Sequence, residues 1–240
     1  MRGLARWAPV SEGGARGGLD SRRRGPTMRA YGAIGALATV ALGLLWSAKG
    51  EVSEMDWMSV FEEALPYAEF LDRYAKPAQR LRWDGLHAKV RLSAEQTAVL
   101  GGFTRRMPVL CLCGAWCGDC INQCPTFDHF AKGSAAIDLR FLDRDARPEI
   151  REALAVNGGH RVPVLVFLSE DGFEVSRYGE RTLSIYRKLA ADQLGPACPT
   201  GLVAPSEDAL TLAASEWLGE FERAQLILRL SPRLRQKHGD

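Results

Sequence analysis

Two cysteines set two residues apart, Cys117 and Cys120 in the segment Trp116-Cys117-Gly118-Asp119-Cys120, are the side chains here best suited to chemistry. A thiol pair at that spacing either exchanges disulfides or helps to hold a thiophilic metal. Three further cysteines, Cys111, Cys113 and Cys124, crowd the same stretch, and Cys198 stands apart in a Gly-Pro-Ala-Cys-Pro loop without a nameable partner. The context of the pair separates the two chemistries. Residues 107–114, MPVLCLCG, form a continuous apolar run that predicts a buried central strand, and a helix is expected from near Cys117 to about Lys132. A sulfur at a helix start meets unpaired backbone N–H groups and the positive end of the helix dipole. Both favour the thiolate, which is the nucleophile. Cys117 is therefore expected to attack, and Cys120, one turn inside the helix, to resolve the mixed disulfide.

The surrounding chain predicts the scaffold. A second strand is expected over residues 137–142, a helix opened by Pro148 and running through Val156 to an Asn157-Gly158-Gly159 stop, and a strand over 162–168. Glu170-Asp171-Gly172 should turn that strand into a hairpin partner over 173–178, and a helix from Thr182 to about Leu194 completes a β-α-β-α-β-β-α order. This is an α/β fold, a mixed sheet with helices on both faces. Residues 55–105 read as helical, with Ser93 and Gln96 in capping-box positions and Pro77 breaking the run. Residues 206–230 read as one more helix, whose Leu210, Ala214, Trp217, Phe221, Ala224 and Leu228 share a stripe that should face a core.

Length and charge narrow the function classes. The chain has 240 residues, 46% of them hydrophobic, and a formal net charge of +2, which gives no general case for nucleic-acid binding. Residues 1–29 carry seven arginines and read as a disordered basic leader. An uncharged run at residues 30–48 just reaches the length of a membrane-spanning helix, so a signal anchor or a cleaved signal is one expectation. A start at Met28 or Met55 is the other, and a start at Met55 has no hydrophobic leader. Thiols crowded into one strand and one helix start suit a reducing cytoplasm better than a loop-closing disulfide framework. The cytoplasm is the expected compartment, with a membrane role only if residues 30–48 are an anchor.

Four elements in order then make residues 107–190 resemble a thioredoxin domain. Trp116-Cys117-Gly118-Asp119-Cys120 is similar to the family's active-site motif, Pro125 sits where its active-site helix is kinked, and Val162-Pro163 matches its cis-proline pair. Gly172 and Gly179 match glycines of the following hairpin. The resemblance implies a thioredoxin-like fold with helical N- and C-terminal extensions. It also implies disulfide exchange with protein substrates and reducing equivalents from a thioredoxin-reductase-like donor, with no cofactor and no metal. A zinc or iron–sulfur set of Cys113, Cys117, Cys120 and Cys124 has workable spacing, but the Trp116 and Pro163 context speaks against it. Val162 would pair with a substrate backbone, and Trp116, Gly118 and Asp119 would shape the site.

Two departures stand out. Asp119 replaces a proline and adds a negative charge beside the thiols, and Cys111 stands where the family usually buries an aspartate. Cys111, Cys113 and Cys124 are expected to pack as small hydrophobes. Among histidines, His129 falls about 18 Å up the helix from Cys117, too far to assist, and His160 could border the site.

Overall fold

Residues 55–194 and 209–240 are described by the structure, a computed structural model. The basic leader, the run at 30–48, the start of the last expected helix at 206–208 and Cys198 lie outside the described residues. Among the described residues no helix is long and apolar enough to cross a membrane.

Four strands make one mixed sheet in the order β2-β1-β3-β4. The central strand β1 (Met107–Cys113) runs parallel to β2 (Ile137–Asp143) and antiparallel to β3 (Val164–Leu168), which pairs antiparallel with β4 (Glu174–Gly179). Every residue of β1 is buried, as its unbroken apolar run requires. Strand β3 starts two residues later than expected, because the cis Val162–Pro163 peptide stands ahead of it and Pro163 has no N–H to donate. A bend at Gly172, whose φ is +87°, joins β3 to β4.

Four helices, α1 (Trp57–Glu63), α2 (Tyr67–Tyr74), α3 (Pro77–His87) and α4 (Ala94–Gly101), precede the sheet. The capping box at α4 forms as expected, with Ser93 accepting from the Gln96 N–H at 3.2 Å and Gln96 from the Ser93 N–H at 2.9 Å. Consecutive residues of β2 show how these helices divide. The Arg140 guanidinium lies 4.8 Å over the Phe61 ring of α1, whereas Phe141 packs edge-on against Tyr67 at 5.5 Å and meets Phe70 at 5.7 Å. Because neighbouring strand residues point to opposite faces, α1 lies on one face and α2 on the other. Leu65 exchanges two backbone hydrogen bonds with Phe141, at 2.9 and 2.7 Å, and so covers part of the open edge of β2.

Between the strands run α5 (Gly118–Gly133) and α6 (Pro148–Ala153), and after β4 come α7 (Leu183–Leu194), α8 (Ala209–Leu230) and α9 (Pro232–His238). Helix α6 stops earlier than the sequence predicts. Asn157 and Gly158 both take positive φ, +49° and +71°, and Val156 and Gly159 close a tight turn with mutual hydrogen bonds of 2.9 and 3.0 Å. Two left-handed residues in a row build a hairpin-like turn instead of capping a helix. Helix α9 was not expected. It opens on Ser231 and Pro232 and ends at Gly239, whose φ is +75°.

The α8 stripe faces the core. Phe221 packs at 5.2 Å from Phe130 and 5.0 Å from Phe167, and Trp217 stands edge-on to Phe127 at 4.6 Å and Tyr178 at 4.9 Å. Leu210 alone of the predicted stripe is only partly covered. The buried Gln225 amide bonds the backbone of Thr104 and Arg105, fixing α8 to the approach to β1. Replacing Phe221, which is fully buried, by Ala should therefore cost roughly 3–5 kcal/mol. Chemical denaturation measures this, and an unchanged midpoint would mean that α8 is not part of the core.

Candidate functional site

Cys117 is the N-cap residue of α5, with φ −77° and ψ 127°, and Gly118 opens the first turn with no atom near the place a Cβ would take. The Cys117 sulfur is half-buried, Cys120 is sealed beneath it, and both are free thiols. Across from them lies the cis Val162–Pro163 peptide, with the Cys117 thiol donating to the Val162 carbonyl at 3.6 Å. Gly179 lets that loop sit close, since a Cβ there would come within 2.6 Å of the Pro163 carbonyl oxygen. The next peptide, Gly179–Glu180, is also cis.

Trp116 is 48% exposed, with one edge of its indole against Gly114 and the Arg144 guanidinium 4.5 Å over its ring. Arg144 is held in turn by Asp145 and by the His160 carbonyl. His160 turns its own ring to Glu152, at 2.9 Å, so only its backbone serves this surface. Pro125 lies buried inside α5. His129 donates to the His87 carbonyl at 3.1 Å and helps tie α5 to α3, with burial pushing its imidazole below the ordinary range.

The charge at Asp119 is answered. Its carboxylate accepts from Arg181 at 2.6 Å, and Arg181 also donates to the buried carboxylate of Glu180 at 3.0 Å. The same Glu180 oxygen accepts from Arg161 and from the Tyr186 hydroxyl, each at 2.9 Å. Two guanidiniums and a phenol thereby hold one buried carboxylate, as such a charge needs. Gln123 completes the frame. Its amide donates to the Asp119 and Glu180 carbonyls at 3.3 and 3.1 Å and accepts from the Trp217 indole at 2.8 Å. Nothing in the sequence pattern marked Arg161, Arg181, Glu180 or Gln123, because their partners are far away along the chain.

Charge within the thiol pair differs from the expected placement at Cys117. The Cys120 and Asp119 backbone groups do favour a thiolate there, but the hydrogen bond to Cys120 and partial burial outweigh them and raise the Cys117 thiol. Burial pushes Cys120 up, yet hydrogen bonds from Cys113, Cys117 and Cys124 and from the Gly114 backbone prevail and hold it below the ordinary thiol range. The two sulfurs are thus pushed in opposite directions, Cys117 up and Cys120 down. Exposure decides which can meet a second molecule, and only Cys117 is reachable. The half-buried Asp143, beside Cys113 at the end of β2, is raised first by burial, then by the neighbouring Asp145 charge and last by Cys120. Of the described residues, the three whose sulfurs converge closely enough to hold a metal are Cys111, Cys113 and Cys124, not the set that spacing alone suggests.

A family model for thioredoxin matches residues 64–193. The chain belongs to the thioredoxin family. The match is longer than the motif-bearing stretch of 107–190 and takes in α2, α3 and α4, which makes these helices part of the thioredoxin unit. Two solved structures share the fold. A protein of unknown function from Pseudomonas aeruginosa is 18% identical, with a TM-score of 0.53 over 73% of this chain and 98% of its own. An HIV epitope scaffold is likewise 18% identical, with a TM-score of 0.52 over 74% of this chain and 99% of its own. At such identity the likeness concerns fold alone. Among curated proteins none matches the chain in sequence.

The Arg181–Asp119 pair yields a signed expectation. Removing Arg181 leaves the Asp119 charge unanswered beside the thiols, which disfavours a thiolate, and removing the Asp119 charge leaves Arg181 to favour one. In Arg181→Ala the pH midpoint of iodoacetamide alkylation at Cys117 should rise, and in Asp119→Asn it should fall. Each shift should be on the order of half a unit, since both groups are partly solvated. Shifts of the same sign in both variants would contradict the pairing.

Proposed function

We propose that this thioredoxin-family chain is a thiol–disulfide oxidoreductase that reduces disulfides in protein substrates through Cys117 and Cys120. The observation that carries the reading is the placement of one reachable sulfur, Cys117, at a helix start opposite the Val162 carbonyl, with Cys120 sealed behind it. An extended substrate segment would pair with the backbone at Val162, where Pro163 offers no competing N–H, and bring its disulfide to Cys117. Trp116, Gly118 and Asp119 would border the approach.

The electrons balance over two steps. Cys117 gives its thiol proton to water and attacks one substrate sulfur as the thiolate, forming a mixed disulfide and releasing the other as a thiolate. That thiolate takes the proton from Cys120. The Cys120 thiolate then attacks the Cys117 sulfur, forming the Cys117–Cys120 disulfide and releasing the second substrate sulfur, which takes a proton from water. The substrate gains two electrons and the pair loses two. A thioredoxin-reductase-like donor would restore the dithiol, and no bound cofactor is required.

Insulin reduction tests the reading. Cys117→Ser should abolish turnover, and Cys120→Ser should accumulate the mixed disulfide with turnover lost; equal rates for wild type and Cys117→Ser would sink it. The direction of electron flow is read from the equilibrium potential of the pair. A reductant should lie near about −270 mV, whereas a value near about −120 mV would make the protein an oxidant.

A further inference from the structure

Cys111, Cys113 and Cys124 take no part in those steps. All three have no solvent exposure. Cys111 and Cys113 alternate along β1 and so share a face, and Cys124 reaches them from the second turn of α5. Their sulfurs all lie within 4.8 Å of one another, with 3.9 Å between Cys111 and Cys124.

That spacing suits one kind of bond better than another. A disulfide needs about 2.05 Å between sulfurs, roughly half of what separates Cys111 from Cys124. An ion bound at about 2.3 Å to each thiolate spaces its sulfurs by about 4.0 Å in a trigonal site and about 3.8 Å in a tetrahedral one. The donors are sulfur only, and the surroundings are apolar core. Hard cations such as magnesium and calcium need oxygen ligands and are excluded, whereas copper(I) and zinc(II) take thiolates readily.

We infer that Cys111, Cys113 and Cys124 form a buried binding site for one soft, thiophilic cation, separate from the half-buried sulfur of the exchange site. The inference does not rest on the exchange reading. Binding releases the ligand thiol protons, so loading strengthens as pH rises. The two candidate ions differ in what they ask of Cys120. Copper(I) is satisfied by three sulfurs. Zinc(II) takes four, and Cys120, buried one turn ahead of Cys124 on α5, is the further sulfur that could complete the set. Zinc would thereby withdraw Cys120 from exchange, and copper would leave it free.

The test uses the reduced full chain under anaerobic conditions, titrated with zinc(II) or copper(I) against a chromophoric chelator. Wild type and Cys117→Ser should each retain one ion per chain. Cys111→Ser and Cys124→Ser should bind at least tenfold more weakly, and Cys120→Ser should weaken zinc but not copper. X-ray absorption on the loaded wild type should count three sulfur neighbours for copper or four for zinc, and this holds even where a serine variant fails to fold. No ion retained against the chelator, loss of the ion in Cys117→Ser, or two or fewer sulfur neighbours would each overturn the inference.

Discussion

The side-chain amide of Gln123 joins three parts of the molecule that are far apart along the chain. It reaches back along α5 to the Asp119 carbonyl, across to the Glu180 carbonyl after β4, and out to the Trp217 indole of α8. A buried amide left unpaired costs several kcal/mol, so each partner holds the other two in place. What is fixed is the first turn of α5 against the loop that follows the hairpin, and Gly179, one residue before Glu180, packs on Pro163. The apposition of Cys117 and the cis Val162–Pro163 peptide thus depends on a hydrogen-bonded frame behind the site as much as on the thiols. Helix α8 belongs to that frame through Trp217, which also packs edge-on against Phe127 and Tyr178.

A second frame is electrostatic and lies beside the first. Glu180 is 2% exposed, and a carboxylate at that depth needs strong hydrogen-bonding compensation. Arg161, Arg181 and Tyr186 supply it, and Arg181 extends the chain of pairs to Asp119 beside the thiols. Asp119, which in the sequence looks like a charge opposed to thiol ionisation, is therefore one end of a compensated array. The residue that departs from the family pattern and the arginine that answers it are 62 positions apart, which is why neither the sign nor the size of its effect could be read locally.

The same distinction explains how far the sequence could be followed. The α/β order, the buried run of β1, the helix that opens near Cys117 and the Ser93 cap are local properties, set by hydrophobic period and by side chains a few residues apart. Val162–Pro163, Pro125 and Trp116 were legible as a pattern, and the structure holds Val162–Pro163 cis and opposite Cys117. Asn157-Gly158 misled because the same residue types cap helices and build tight turns, and only the partner strand geometry separates the two. The network of Gln123, Arg161, Glu180 and Arg181 was illegible because each of its four members makes a contact 19 or more positions away.

Five sulfurs lie on one strand and one helix, yet the fold sorts them by access more than by acidity. Ionisation alone would nominate Cys120, since its neighbours stabilise a charge there. A buried thiolate cannot meet a protein disulfide, so the half-buried Cys117 is the sulfur of the pair that a second molecule can reach. The position of the helix start does this sorting. It places Cys117 at the N-cap, half in solvent, and carries Cys120 and Cys124 inward on successive turns toward β1. The thiols of β1 meet them only because the strand is central and buried on both faces. Trp83, fully buried on α3, donates its indole N–H to the Ala115 carbonyl at 2.9 Å, directly between that strand and the site. A helix ahead of the sheet therefore sets the path along which β1 delivers Trp116 and Cys117, which is the physical reason for counting α3 within the thioredoxin unit.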